Sequence, residues 1–131
     1  MLRHAYFQEF KSGATLLIWG DTDDMKHLAD IFRAAAEGTS TITLGDLPDC
    51  QSVDGVVVRL GPVITNGGVR QDRVNGRLLH WEAGPETWRQ FAELVEPLCS
   101  MPGHQYLESR FDELTVMASC GEYSPDLKPN K

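Results

Sequence analysis

The apolar positions of this chain change period several times, and each change marks an element. HAYFQEF (4–10) alternates weakly and ATLLIWG (14–20) is a short apolar run, with the turn signal Lys11-Ser12-Gly13 between them. This pattern predicts a β-hairpin. In DTDDMKHLADIFRAAAEG the apolar residues Met25, Leu28, Ala29, Phe32, Ala35 and Ala36 fall on one stripe at helical spacing. Asp21 or Thr22 can cap that helix, acidic residues fill its first turn, and Gly38 supplies the stop.

STITL (40–44) and GVVVRL (55–60) are β-branched runs separated by the polar loop GDLPDCQSVD. GPVITNGGV holds two turn signals, and Asn75-Gly76 reads as a two-residue type I′ turn leading into the strand RLLHWEA (77–83). Gly84-Pro85 opens a second helix, because proline is tolerated at the first helical position, where its missing N–H would have no partner anyway. Trp88, Phe91, Ala92, Val95 and Leu98 form its apolar face, and Pro97 ends its regular part. HQYLE (104–108) and ELTVMAS (113–119) complete the strands, and the tail from Ser124, with Pro125 and Pro129, is expected to fray.

Most strands come as neighbours in sequence joined by short turns. The expectation is therefore one α+β domain over 1–131, with a flexible tail at 124–131. Its single, largely antiparallel sheet should have about six to seven strands, with the two amphipathic helices packed on it.

Composition narrows the function classes. At 131 residues the chain can bury roughly two-thirds of its unfolded surface and needs no metal or disulfide to fold. Three cysteines (Cys50, Cys99, Cys120) without CxxC spacing argue against a disulfide framework and a zinc site. No apolar run approaches the roughly 20 residues that cross a bilayer. MLRHAYFQEF lacks the apolar core and cleavage site of a signal peptide, so the expected location is the cytoplasm. Twelve basic against nineteen acidic residues give a net charge of −7. That balance disfavours nucleic acid, which demands clustered cations, and favours a basic protein partner.

No catalytic motif is legible, and neither a cofactor nor a metal is expected. DTDD (21–24) fits a helix start better than a cation site, because no further ligands recur at a fixed spacing. The histidines are scattered; His80 and His104 lie on predicted strands and, with Glu122, form the alternative reading of a small enzyme or ligand pocket. Cys120 ends a strand, but Glu122 and Asp126 would raise its pKa rather than activate it. Charge is unevenly spread. Arg59, Arg70, Arg73 and Arg77 mark a basic hairpin region, whereas Glu108, Asp112, Glu113, Glu122 and Asp126 make the C-terminal part acidic, with Tyr106 and Tyr123 interleaved. Tyrosine and complementary charge are common ingredients of recognition surfaces.

GHQYLE (103–108), an acidic link and ELTVMASCGEYSPDL (113–127) together resemble the C-terminal signature of small bacterial α+β proteins, some grouped with immunity proteins of polymorphic toxin systems. The matching positions are His104, Tyr106, Glu108, Ser119, Gly121, Glu122, Tyr123 and Asp126, with Cys120 at a variable one. The resemblance implies a cytoplasmic, non-enzymatic protein that binds and neutralises a basic toxin-like partner. Its expected binding residues are His104, Tyr106, Glu108, Glu122, Tyr123 and Asp126. If the last two strands pair, the Gly121-Glu122-Tyr123 turn returns to the start of the first of them.

Overall fold

The computed structural model describes residues 1–11, 13–65 and 67–129; Ser12 and Asn66, at two of the predicted turns, and the last two residues of the tail lie outside the described residues. The predicted hairpin is formed by β1 (Leu2–Phe10) and β2 (Gly13–Gly20), which pair antiparallel. Helix α1 (Thr22–Glu37) follows. Asp21 caps it through a reciprocal box: its carboxylate accepts from Asp24 N, and the Asp24 carboxylate accepts from Asp21 N. The DTDD cluster is thereby a helix start, and Asp24 also meets the N-terminal ammonium at 3.0 Å.

Strands β3 (Ile42–Thr43), β4 (Cys50–Ser52), β5 (Val57–Pro62), β6 (Gly68–Gln71) and β7 (Leu78–Ala83) come next. Helix α2 (Pro85–Val95) then leads through a 3₁₀ turn at 96–99 into β8 (Gly103–Tyr106) and β9 (Thr115–Cys120). The helices keep their predicted faces: Trp88, Phe91, Ala92 and Val95 of α2 are buried, and Gly38 caps α1.

The α+β class holds, but the single antiparallel sheet does not. Among the described residues there are two sheets, ordered β4-β1-β2-β9-β8 and β3-β5-β7-β6. Both are mixed, because β1 with β4, β2 with β9, and β5 with β7 are parallel pairs. Parallel neighbours need crossover connections, and local turn signals do not reveal which distant strand is recruited. Short β4 and β6 lie within stretches that read as loops.

The Asn75-Gly76 signal also resolves differently. Neither residue has positive φ, so the turn is not type I′. The β6–β7 connection is instead organised by the Asp72 carboxylate, which accepts from Val74 N (3.1 Å) and Asn75 N (3.0 Å), while the Asn75 side chain accepts from Arg77 N.

One core cluster joins the inner faces of both sheets with the apolar stripes of both helices. Leu16, Ile18, Val116 and Ala118 contribute from the first sheet, and Val58, Leu60, Leu79 and Trp81 from the second. A smaller cluster of Ala5, Phe7, Leu17, Trp19 and Met117 lies on the outer face of the five-stranded sheet. Its cover is the C-terminal segment. Tyr123 and Leu127 pack against it, and Trp19 Nε1 donates to the Ser124 carbonyl at 3.1 Å. The segment expected to fray thus makes specific contacts as far as Leu127. No helix among the described residues is long and apolar enough to cross a membrane.

The two sheets are also stitched by the link between β8 and β9. Phe111 N donates to Gly67 O and Glu113 N to Val69 O, while the Asp112 carboxylate accepts from Val69 N and Ser109 N. This link closes the edge of β6. It fits only because position 68 is glycine: a Cβ there would lie 2.5 Å from Phe111 C and 2.6 Å from its carbonyl oxygen. Both are backbone atoms and cannot rotate away. Gly68→Ala is expected to cost about 1–3 kcal/mol, the usual range for overpacking. Urea unfolding checks this; an unchanged midpoint would show that the link is not tightly seated.

Candidate functional site

The pairing of the last two strands follows the sequence expectation. β8 and β9 are antiparallel, with His104 opposite Ser119 and Tyr106 opposite Met117. Because side chains alternate along a strand, Val116, Ala118 and Cys120 enter the main core and Met117 and Ser119 take the other face. His104 and Tyr106 stand on that outer face with them.

Gly121 ends β9. Its φ of 72° lies in the left-handed region, its N–H donates to Gly20 O at 3.0 Å, and a Cβ would press on Pro102 at 3.3 Å. The chain then turns Glu122 back across the first residues of β8. His104 Nδ1 lies 3.1 and 3.0 Å from the two Glu122 carboxylate oxygens, and Ser119 Oγ donates to Oε1. Burial opposes ionisation of Glu122, but the hydrogen bonds from Ser119 and His104 outweigh it and hold the carboxyl below its usual range. The His104 ring meets Tyr106 edge to face at 5.8 Å.

Lys11 completes the cluster from the β1–β2 turn. Its Nζ lies 5.8 Å from the centroid of the Tyr123 ring, and Tyr123, with smaller contributions from Tyr106 and Glu122, holds the ammonium above its ordinary pKa. Tyr123 itself leans on Phe10, with centroids 5.6 Å apart. Four of the six expected residues, His104, Tyr106, Glu122 and Tyr123, therefore share one surface. Glu108 lies past the end of β8, beside Asp112 and Glu113 in a shallow depression, and Asp126 sits in the 124–127 turn. Neither forms an ion pair among the described residues. Sequence reading missed Lys11, which is far away in the chain. It also gave Ser119 no partner, although the Ser119–Glu122 spacing of three residues across a turn signal was visible.

Ser119, Glu122 and His104 form one hydrogen-bonded cluster. A serine nucleophile needs a histidine placed to take its proton. Here Glu122 stands between the two, receiving the Ser119 hydroxyl and the His104 ring on one carboxylate, and Ser119 is fully buried.

His80 is elsewhere. It alternates with buried Leu79 and Trp81, so it points off the outer face of the four-stranded sheet, where its Nε2 meets Asp72 Oδ1 at 2.8 Å. Asp72 is held down to about 2, chiefly by that bond. Among the described residues no hydrogen bond or ion pair joins His80 to His104 or Glu122; the two histidines stand on different sheets, each with its own carboxylate partner.

The environment of all three thiols disfavours the thiolate. Burial pushes Cys120 and Cys99 up, and Cys50 up to about 11. Among the described residues no cluster of metal-ligating side chains is present. Comparison of the chain with protein-family models finds no match, and comparison with curated proteins finds no significant one.

Proposed function

We propose that this protein is a non-enzymatic binding protein that holds a basic protein partner against the outer face of β8 and the turn after β9, as a toxin-neutralising immunity protein would. The observation that carries this reading is the preset His104–Glu122 pair beside Tyr106, which is 40% exposed. A half-exposed tyrosine next to an already oriented, hydrogen-bonded histidine–carboxylate pair offers contact area with little ordering cost on binding. Glu108 and Asp126, which lack ion pairs among the described residues, together with the net charge of −7, would draw a cationic partner by long-range attraction. The likeness of 103–127 to immunity-protein signatures supports the same direction.

The test is affinity capture at low ionic strength, where such attraction is strongest, followed by measurement of the captured partner's affinity. A basic toxin domain should be recovered. Tyr106→Ala and Asp126→Lys should each weaken its binding roughly tenfold or more, the scale of an interface anchor or a reversed charge. Recovery of no basic partner, or equal binding by both variants, would refute the proposal.

A further inference from the structure

β8 is a border strand of the five-stranded sheet and pairs only with β9 among the described residues. Two hydrogen bonds fix which way its backbone groups point. Leu107 N donates to Val116 O at 2.9 Å, one step beyond the Tyr106–Met117 pair in the same unbroken register. On the other side of β9, Gly121 N donates to Gly20 O at the end of β2. In an antiparallel ladder, alternate residues direct both backbone groups to the same side. Val116, Ala118 and Cys120 therefore bond towards β8, and Met117, Ser119 and Gly121 towards β2. On β8 the residues bonded to β9 are Gly103, Gln105 and Leu107. The N–H and C=O of His104 and Tyr106 face outwards, where no strand lies and no hydrogen bond reaches them among the described residues.

The open ladder and the candidate binding residues are thus the same two positions. The side chains of His104 and Tyr106 are exposed on the outer face, beside Glu122. Beyond Tyr106 the charge is acidic. Glu108 is exposed and forms no ion pair among the described residues. Asp112 and Glu113 lie beside it, and Arg110, the base of this link, lies over the Phe111 ring. A second copy of the chain would bring a net charge of −7 against the same charge, so a basic segment is the better match.

We propose that the edge of β8 takes up an extended basic segment of a protein partner by strand addition. This rests on the binding reading above and names its mode. The segment runs antiparallel to β8, the slightly more stable arrangement, so its side chains lie directly opposite His104 and Tyr106. Backbone groups of those two residues supply the ladder; their side chains and Glu108 supply the selection.

Amide hydrogen exchange by NMR reads the edge directly. In the free protein His104 and Tyr106 N–H should exchange at least roughly tenfold faster than Gln105 and Leu107, which are bonded to β9. A peptide of alternating lysine and threonine at low salt should bind and slow His104 and Tyr106 by roughly tenfold or more. With lysine side chains on the outer face, the lysine amides meet β8. Their N-methylation should weaken binding by roughly tenfold or more, the worth of lost hydrogen bonds, and methylation of the threonine amides should not. Glu108→Lys should weaken binding by reversing a charge. Tyr106→Pro should bind more weakly than Tyr106→Ala, since both lose the ring and only proline loses the outward N–H. The N-methylated peptides make the same test without altering the protein. Absence of peptide binding, binding that leaves both amides unprotected, or equal binding by the two methylated peptides overturns strand addition. So does a concentration-dependent dimer that protects these amides, since that assigns the edge to a second copy. A basic partner captured without this protection refutes the mode and leaves the binding reading standing. Peptide protection with no basic partner captured supports the edge and refutes the toxin-neutralising reading.

Discussion

Lowering the pH from 7 to 4 should remove about 3 kcal/mol of stability through one residue, His4. The imidazole is completely buried, and neither ring nitrogen has a hydrogen-bond partner among the described residues. Burial lowers its pKa to about 4, partly opposed by the charge of Asp54 and by the Val56 backbone. Well above pH 6.5 the ring is neutral in both folded and unfolded chains and contributes no pH dependence. Between 6.5 and about 4 the unfolded chain takes up a proton that the folded chain refuses, so stability falls as the pH falls; below about 4 both are protonated and the loss levels off. A displacement of this size corresponds to about 3 kcal/mol.

Urea unfolding at a series of pH values should show this limb in the native protein and lose it in His4→Leu, which keeps an apolar side chain of similar bulk. Asp72 and Glu122 act in a lower window. Their depressed pKa values contribute stability that is present above the ordinary carboxylate range and lost as the pH falls through the folded values. Their share should persist in the variant. If His4→Leu retains the full slope between pH 6.5 and 4, His4 is not its source.

The largest single loss of stability should come from Trp81→Ala, at about 3–5 kcal/mol, the range for removing a large aromatic side chain from a core. Trp81 is fully buried on β7 and contacts three other rings: Trp88 at 5.2 Å, Phe32 at 5.5 Å and Phe91 at 5.7 Å between centroids. Those rings come from α1 and α2, so this one side chain ties the four-stranded sheet to both helices. Trp81→Phe should cost far less. It keeps a ring in the cluster and removes an indole N–H that has no partner among the described residues. Comparison of the two variants by chemical denaturation, at unchanged denaturant slope, checks the assignment. A loss below about 1 kcal/mol for Trp81→Ala would place the core's anchor elsewhere.

Part of the candidate site was legible because its geometry is local. Period-two spacing put His104 and Tyr106 on one face, and the glycine after β9 marked where the chain turns. With those two strands paired, Glu122 had to come back near His104. The same reasoning could not place Lys11, which meets Tyr123 only because β2 lies next to β9. Nor could it show that the acidic link does structural work: Asp112 and Glu113 accept from the β6 backbone at Val69 N and Gln71 N, leaving Glu108 and Asp126, among the described residues, as the unengaged acids of that region. Hydrogen-bond partners separated by some forty residues leave no periodic trace in the chain.

The sequence by itself determined what depends on neighbours within one or two turns. It specified both helices with their caps and buried stripes, the first hairpin, the glycine stop at 121, and the return of the turn after β9 towards the start of β8. Only the tertiary structure decided which distant strands pair, and hence that there are two mixed sheets rather than one antiparallel sheet. The same pairing choices placed His80 and His104 on different sheets. They also buried β9 on both faces, Met117 and Ser119 as well as Val116, Ala118 and Cys120. The physical reason is that strand partners are selected by how much apolar surface the whole chain buries at once. Runs such as ATLLIWG and TVMASC offer apolar side chains to both faces, so local alternation does not rank their alternative neighbours.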